Sequence, residues 1–210
     1  MFKKIVIASG MLLVSSNMAL ADMLIPYVGA DLALDLGRWT LKDVTGARTN
    51  ANAKGAYGDL VAGFGWTGAE RFYLGAEVFG AQSSTRTPTK VINTSGGTTG
   101  AFARMRWTYG ASLLPGYRLT DTAITYLRFS VLKSRFQLYQ GSIPAGFSFH
   151  YEIANAKGVQ VGIGLQNDFS RNWGIRGEYD YVTYRSISLF NNKFRAYDNQ
   201  IKVGLMYNFC

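Results

Sequence analysis

His150 is the only histidine in this 210-residue chain, and it stands two residues from Ser148 and two from Glu152. A general base, a hydroxyl nucleophile and an orienting carboxylate are the parts of a hydrolytic triad. On one strand, however, residues 148, 150 and 152 would share a face, and no acyl-transfer motif surrounds them. That spacing fits a solvated loop or rim histidine better than a catalytic base. Gly63-Phe64-Gly65-Trp66-Thr67-Gly68 has the letters of a dinucleotide fingerprint. The motif must follow a strand and open a helix; here it runs through an alternating apolar stretch into a turn, so it is set aside. One histidine and one cysteine make no metal-ligand spacing, and no cofactor is expected.

The more informative chemistry is a set of charges that alternate with apolar residues. Asp59, Glu77, Arg106, Arg128, Arg176, Glu178, Asp180 and Lys202 each lie opposite an apolar or aromatic face. Such charges, if enclosed, must be paired and hydrogen-bonded or cost several kcal/mol each. The elements that would carry them show a period of two, the signature of a strand with two unlike faces. Near 25–36, Val28, Ala30, Leu32 and Leu34 oppose Tyr27, Asp31 and Asp35. The same pattern recurs seven more times, first through 56–67 and last with Val203, Leu205, Tyr207 and Phe209 against Lys202, Gly204, Met206 and Asn208. Short turns follow the second, fourth and sixth segments; long polar stretches follow the others.

Lys3 and Lys4 precede an apolar run over 5–14, and Ala19-Leu20-Ala21 offers a small-residue cleavage site. This is the layout of a secretory signal peptide over 1–21, leaving 22–210 as one exported domain. The net charge of +9 loses two lysines with that segment. A basic chain suggests nucleic acid, but export and the scatter of the basic residues argue against it, and no nucleic-acid partner is expected. The single cysteine, Cys210, permits no intrachain disulfide and specifies nothing by itself.

Together these features predict an all-β fold, an eight-stranded antiparallel up-and-down transmembrane β-barrel in the cell outer membrane. A soluble barrel of the lipocalin kind would alternate as well, with its apolar face inward around a ligand. Two features favour the membrane form. Trp66, Phe72, Tyr117, Trp173, Tyr207 and Phe209 all fall near the short-turn ends, where a membrane-interface girdle belongs. The polar face is rich in glycine, as the narrow lumen of an eight-stranded barrel requires. The enclosed charges then form either a network that plugs the lumen or the lining of a narrow solute pore.

The alternating strands, the signal peptide and the Tyr207-Asn208-Phe209 ending resemble small outer-membrane barrels of the OmpA-like and opacity-protein type. The stretch from Gly164-Leu165-Gln166-Asn167 to Trp173-Gly174-Ile175-Arg176-Gly177-Glu178-Tyr179 is similar to that family's sixth-to-seventh strand hairpin. The resemblance implies a structural or surface-contact role, adhesin-like in some members, and no catalysis. It implies that Gly204, Tyr207 and Phe209 form an insertion signal read by the barrel-assembly machinery. Cys210 departs from the usual aromatic ending, and no peptidoglycan-binding domain is expected after the barrel. Some eight-stranded barrels modify lipid A, which is the one enzymatic alternative. Arg38, Lys42, Arg48, Lys54, Arg86, Lys90, Lys157, Lys193 and Arg195 are expected in loops. There they would meet lipopolysaccharide phosphates among the outer-membrane lipids, or an acidic extracellular ligand.

Overall fold

The computed structural model describes residues 24–42, 48–94, 97–142, 150–189 and 192–209. The predicted signal peptide, Ser148 and Cys210 lie outside them. The chain runs as ten strands: β1 (Leu24–Lys42), β2 (Arg48–Thr67), β3 (Phe72–Ser83), β4 (Lys90–Thr94), β5 (Gly97–Arg118), β6 (Ala123–Ser142), β7 (His150–Asp168), β8 (Trp173–Tyr184), β9 (Ile187–Leu189) and β10 (Asn192–Asn208). Eight of these form the wall, in the order β1-β2-β3-β5-β6-β7-β8-β10. β10 pairs antiparallel with β1 from Tyr27 opposite Asn208 to Lys42 opposite Lys193, which closes the ring. The short β4 and β9 pair on β5 and β10 respectively.

The side-chain alternation decides which face looks out. Leu32 is 77% exposed, Leu60 69% and Val131 65%, while their neighbours Asp31, Asp59 and Ser130 are buried. Apolar residues therefore cover the outside and polar ones the lumen, the reverse of a soluble ligand-binding barrel. The short turns contain the 3-10 turn Ala69–Arg71 and the bends at 119–122 and 169–172, all at one end. Glu70 and Arg71 there have φ of 61° and 68°, the left-handed conformation that lets so short a connection reverse the chain.

The strands run further than their alternation suggests. β2 and β6 have 20 residues each and β5 has 22, whereas crossing a bilayer takes roughly 9–11. At the long-connection end they rise into a collar. Arg38, Lys42, Arg48, Lys54, Lys157, Lys193 and Arg195, expected in loops, are strand residues of that collar. Lys90 is on β4, and Arg86 bridges β2 and β5 between β3 and β4. Polar sequence there marks backbone that has left the lipid, not backbone that has left the sheet.

Candidate functional site

At mid-barrel, strand alternation aims one charged side chain after another at the axis. Arg128 on β6 donates through Nη2 to Glu77 on β3 and to Glu178 on β8, each at 2.7 Å. Its Nη1 reaches Ser112 on β5 at 3.0 Å, and Ser112 shares a hydrogen bond with Ser130. Arg176 on β8 holds Asp31 on β1 with two donors, the fork geometry that makes such pairs strong. It also donates to Glu77 at 2.6 Å. Glu77 further accepts from the Tyr27 hydroxyl at 3.0 Å, and Tyr126 donates to Glu178. Lys202 on β10 lies 3.0 Å from Asp180, 3.7 Å from Asp59 and 3.9 Å from Glu178. All of these charged side chains are buried.

Glycines make the room. A Cβ at Gly204 would overlap the Asp31 carboxylate, one at Gly162 the Asp180 carboxylate, and one at Gly164 the Tyr126 ring. Each of these glycines thus makes room for the large side chain of its direct partner on the neighbouring strand.

Of the eight charges expected in the lumen, seven meet here, and Arg106 does not. β5 carries a bulge between Met105 and Thr108, which face Phe136 and Ser134 on β6. The extra residue shifts the alternation: Met105 and Thr108 are buried, while Arg106 is half-buried and Trp107 exposed. No ion pair among the described residues includes Arg106.

Three further carboxylates lie outside the expected set of lumen charges, although Asp31 and Asp35 share the polar face read for the first segment. Asp31 joins the network directly. Asp35 accepts from Thr85 at 2.7 Å, and Asp198 accepts from the Trp39 indole at 2.7 Å. Among the described residues the buried charges are then Asp31, Asp35, Asp59, Glu77, Glu178, Asp180 and Asp198 against Arg128, Arg176 and Lys202. An interior with that acidic excess disfavours anions and favours protons or cations.

Above this level, toward the collar, large aromatic side chains fill the lumen beside Asp35 and Asp198. Trp39 packs edge-on against Phe136 and Phe194, with ring centroids 5.3 and 5.7 Å apart. Phe136 meets the Tyr184 ring at 5.1 Å in the same manner. Met105 and Leu138 complete the layer, and all six side chains are buried. These are spacings and angles that aromatic pairs prefer. A smaller cluster of Tyr73, Leu114, Ile124 and Tyr126 fills the short-turn end. Below the collar's mouth the described interior therefore holds the ion network between two clusters rich in aromatic side chains, the upper of which also encloses Asp35, Asp198, Thr85 and Ser134.

The girdle residues stand on the outside at the short-turn end. Trp66 meets Phe72 at 6.2 Å, Trp173 meets Tyr207 at 5.0 Å, and Tyr207 meets Phe209 at 5.1 Å. Phe72 is the strand partner of Tyr117. The last strand is tied down there: Asn208 N–H donates to the Asn172 carbonyl and Phe209 N–H to that of Pro26. A second set of outward aromatics, Trp107, Tyr109, Tyr181 and Tyr197, stands toward the other end and was not singled out from the sequence. His150 opens β7 and Glu152 follows on the lumen-facing parity of that strand; the hydroxyl of the sketched triad, Ser148, lies outside the described residues. No group of three or more metal-ligating side chains gathers among the described residues.

No family model and no curated relative matches the sequence. Solved structures do. The outer-membrane protease OmpT of Escherichia coli superimposes with a TM-score of 0.52 at 10% identity, covering 93% of this chain and 99% of that one. Neisserial surface protein A gives 0.48 at 18% identity, covering 88% and 97%. Ail, the attachment invasion locus protein of Yersinia pestis, gives 0.41 at 14%, covering 86% and 98%. The chain has the fold of an outer-membrane β-barrel, built as a ring of eight strands with a buried charge network at its centre.

Proposed function

We propose that this protein resides in an outer membrane as a closed barrel and acts through its surface, as a structural or surface-contact protein, not as a conduit. The supporting observation is the layered interior. The ion network joins β1, β2, β3, β6, β8 and β10 across the axis, and the Trp39, Phe136, Phe194 and Tyr184 layer lies above it. A ring of eight strands has just enough width for its own side chains, and here large ones occupy it at each level. The outside supports membrane residence, with an aliphatic band between two sets of aromatics. The basic collar is the part of the surface best suited to meet other molecules.

The test is single-channel recording of residues 22–210, refolded into planar bilayers. Folded protein that gives no current is the expected result. Steady steps that scale with salt would overturn the closed-barrel assignment and make the lumen charges selectivity elements of a narrow pore.

A further inference from the structure

Outside the short turns, the outer face of the barrel carries charge of one sign only among the described residues. Every described carboxylate either faces the lumen or sits in a short turn, as Glu70 and Asp121 do. Basic residues occupy the outward positions of the collar strands. Arg38 lies on β1, Lys54 on β2, Arg86 beside it, Arg104 on β5, Arg135 on β6 and Lys157 on β7. Arg185, just after β8, and Arg195 on β10 continue the series around the circumference.

The register sets several of these cations directly against one another. Arg86 bridges Lys54 on one side and Arg104 on the other, giving three cations in a row. Lys133 is the strand partner of Lys157. Like charges placed opposite on neighbouring strands destabilise a sheet, and none of these five has a carboxylate partner among the described residues. An arrangement that repels itself on neighbouring strands is stabilised by an anion lying between its members.

The height of the series identifies the anion. Lys54 stands about twelve residues along β2 from Trp66, Arg195 about twelve along β10 from Tyr207, and Arg185 about twelve beyond Trp173. At the usual rise and tilt of barrel strands that is ~30 Å, one hydrocarbon thickness above the aromatic girdle. Trp107, Tyr181 and Tyr197 stand just below, at the level of an interface.

We infer that the Lys54–Arg86–Arg104 row and the Lys133–Lys157 pair bind the phosphates of an acylated, phosphorylated glycolipid in the outer leaflet. The phosphate lies between paired cations while the acyl chains run down the aliphatic band. A soluble polyanion would instead be met above the membrane, by residues nearer the mouth such as Lys42, Arg48 and Lys193, which are themselves strand partners. This inference rests on the membrane-spanning reading, so the experiment separates the two.

The refolded protein is placed in phosphatidylcholine vesicles with and without bis-phosphorylated lipid A, and in parallel with dephosphorylated lipid A. Depth-dependent quenching of tryptophan fluorescence first establishes insertion in plain phosphatidylcholine; failure there counts against the membrane reading itself. With insertion shown, the phosphorylated form is expected to raise the unfolding temperature and to remain bound through detergent extraction. The dephosphorylated form is expected to do neither. The triple variant Lys54→Gln, Arg86→Gln, Arg104→Gln should insert normally and retain roughly tenfold less lipid A. Lys133→Gln serves as a single, milder variant if the triple variant does not fold. Equal retention by wild type and variant, or equal retention of both lipid A forms, would overturn the inference. Binding of heparin by the same residues with no preference for lipid A would overturn it in favour of a soluble partner.

Discussion

The charged middle of the lumen and the aromatic layer above it enclose the same width of barrel with opposite chemistry. In the middle, Arg176 has Asp31 and Glu77 as partners at hydrogen-bond distance, and removing it leaves Asp31 buried without a counterion. In the aromatic layer, Trp39 and Tyr184 keep a polar partner each, but Phe136 and Phe194 make contacts that depend on volume and shape, and a side chain of similar size can take their place. The difference teaches that the charged layer fixes which strands must face each other, whereas the aromatic layer fills space.

The largest expected effect is at Arg176. Arg176→Ala should destabilise the barrel by about 3–5 kcal/mol, because Asp31 loses its buried partner. The shift of the urea midpoint in detergent measures it, and a loss under about 1 kcal/mol would show that the network is hydrated and weak. Glu77→Ala, which frees both arginines from one acceptor, should fall in the same range. Phe136→Ala should cost about 3 kcal/mol through the cavity it leaves, while Phe136→Leu should cost less than about 1.5 kcal/mol. If Leu proves as damaging as Ala, the aromatic layer is as specific as the charged one and the contrast fails. The smallest effect belongs to Arg106→Ala, within about 0.5 kcal/mol; a loss comparable to Glu77→Ala would place that side chain in the lumen after all.

The same contrast separates what the sequence made legible from what it did not. Asp59, Glu77, Arg128, Arg176, Glu178, Asp180 and Lys202 sit in stretches of strict alternation, so their face could be read from period two alone. Arg106 obeyed that pattern on paper, but one extra residue in β5 reverses everything on its far side, and nothing in the residue types announces a bulge there. The aromatic layer was hidden for another reason. Trp39, Phe136 and Phe194 fall in polar surroundings, where apolar residues on the inner parity look like scattered exceptions. Strand ends were illegible throughout the collar, because backbone pairing continues after the lipid-facing composition has ended.

The seam between the last strand and the first carries ions as well as backbone hydrogen bonds. Lys202 on β10 reaches Asp59 on β2, and Arg176 on β8 reaches Asp31 on β1. Before β10 meets β1, these cations and carboxylates belong to separate edges of an open sheet, and lipid is a poor place for either. Asp31 gains its guanidinium and Asp59 its ammonium only when the two edges meet, whereas Lys202 also lies 3.0 Å from Asp180 on the adjoining β8. For Asp31 and Asp59, joining the two ends of the chain and finding a counterion are thus the same step.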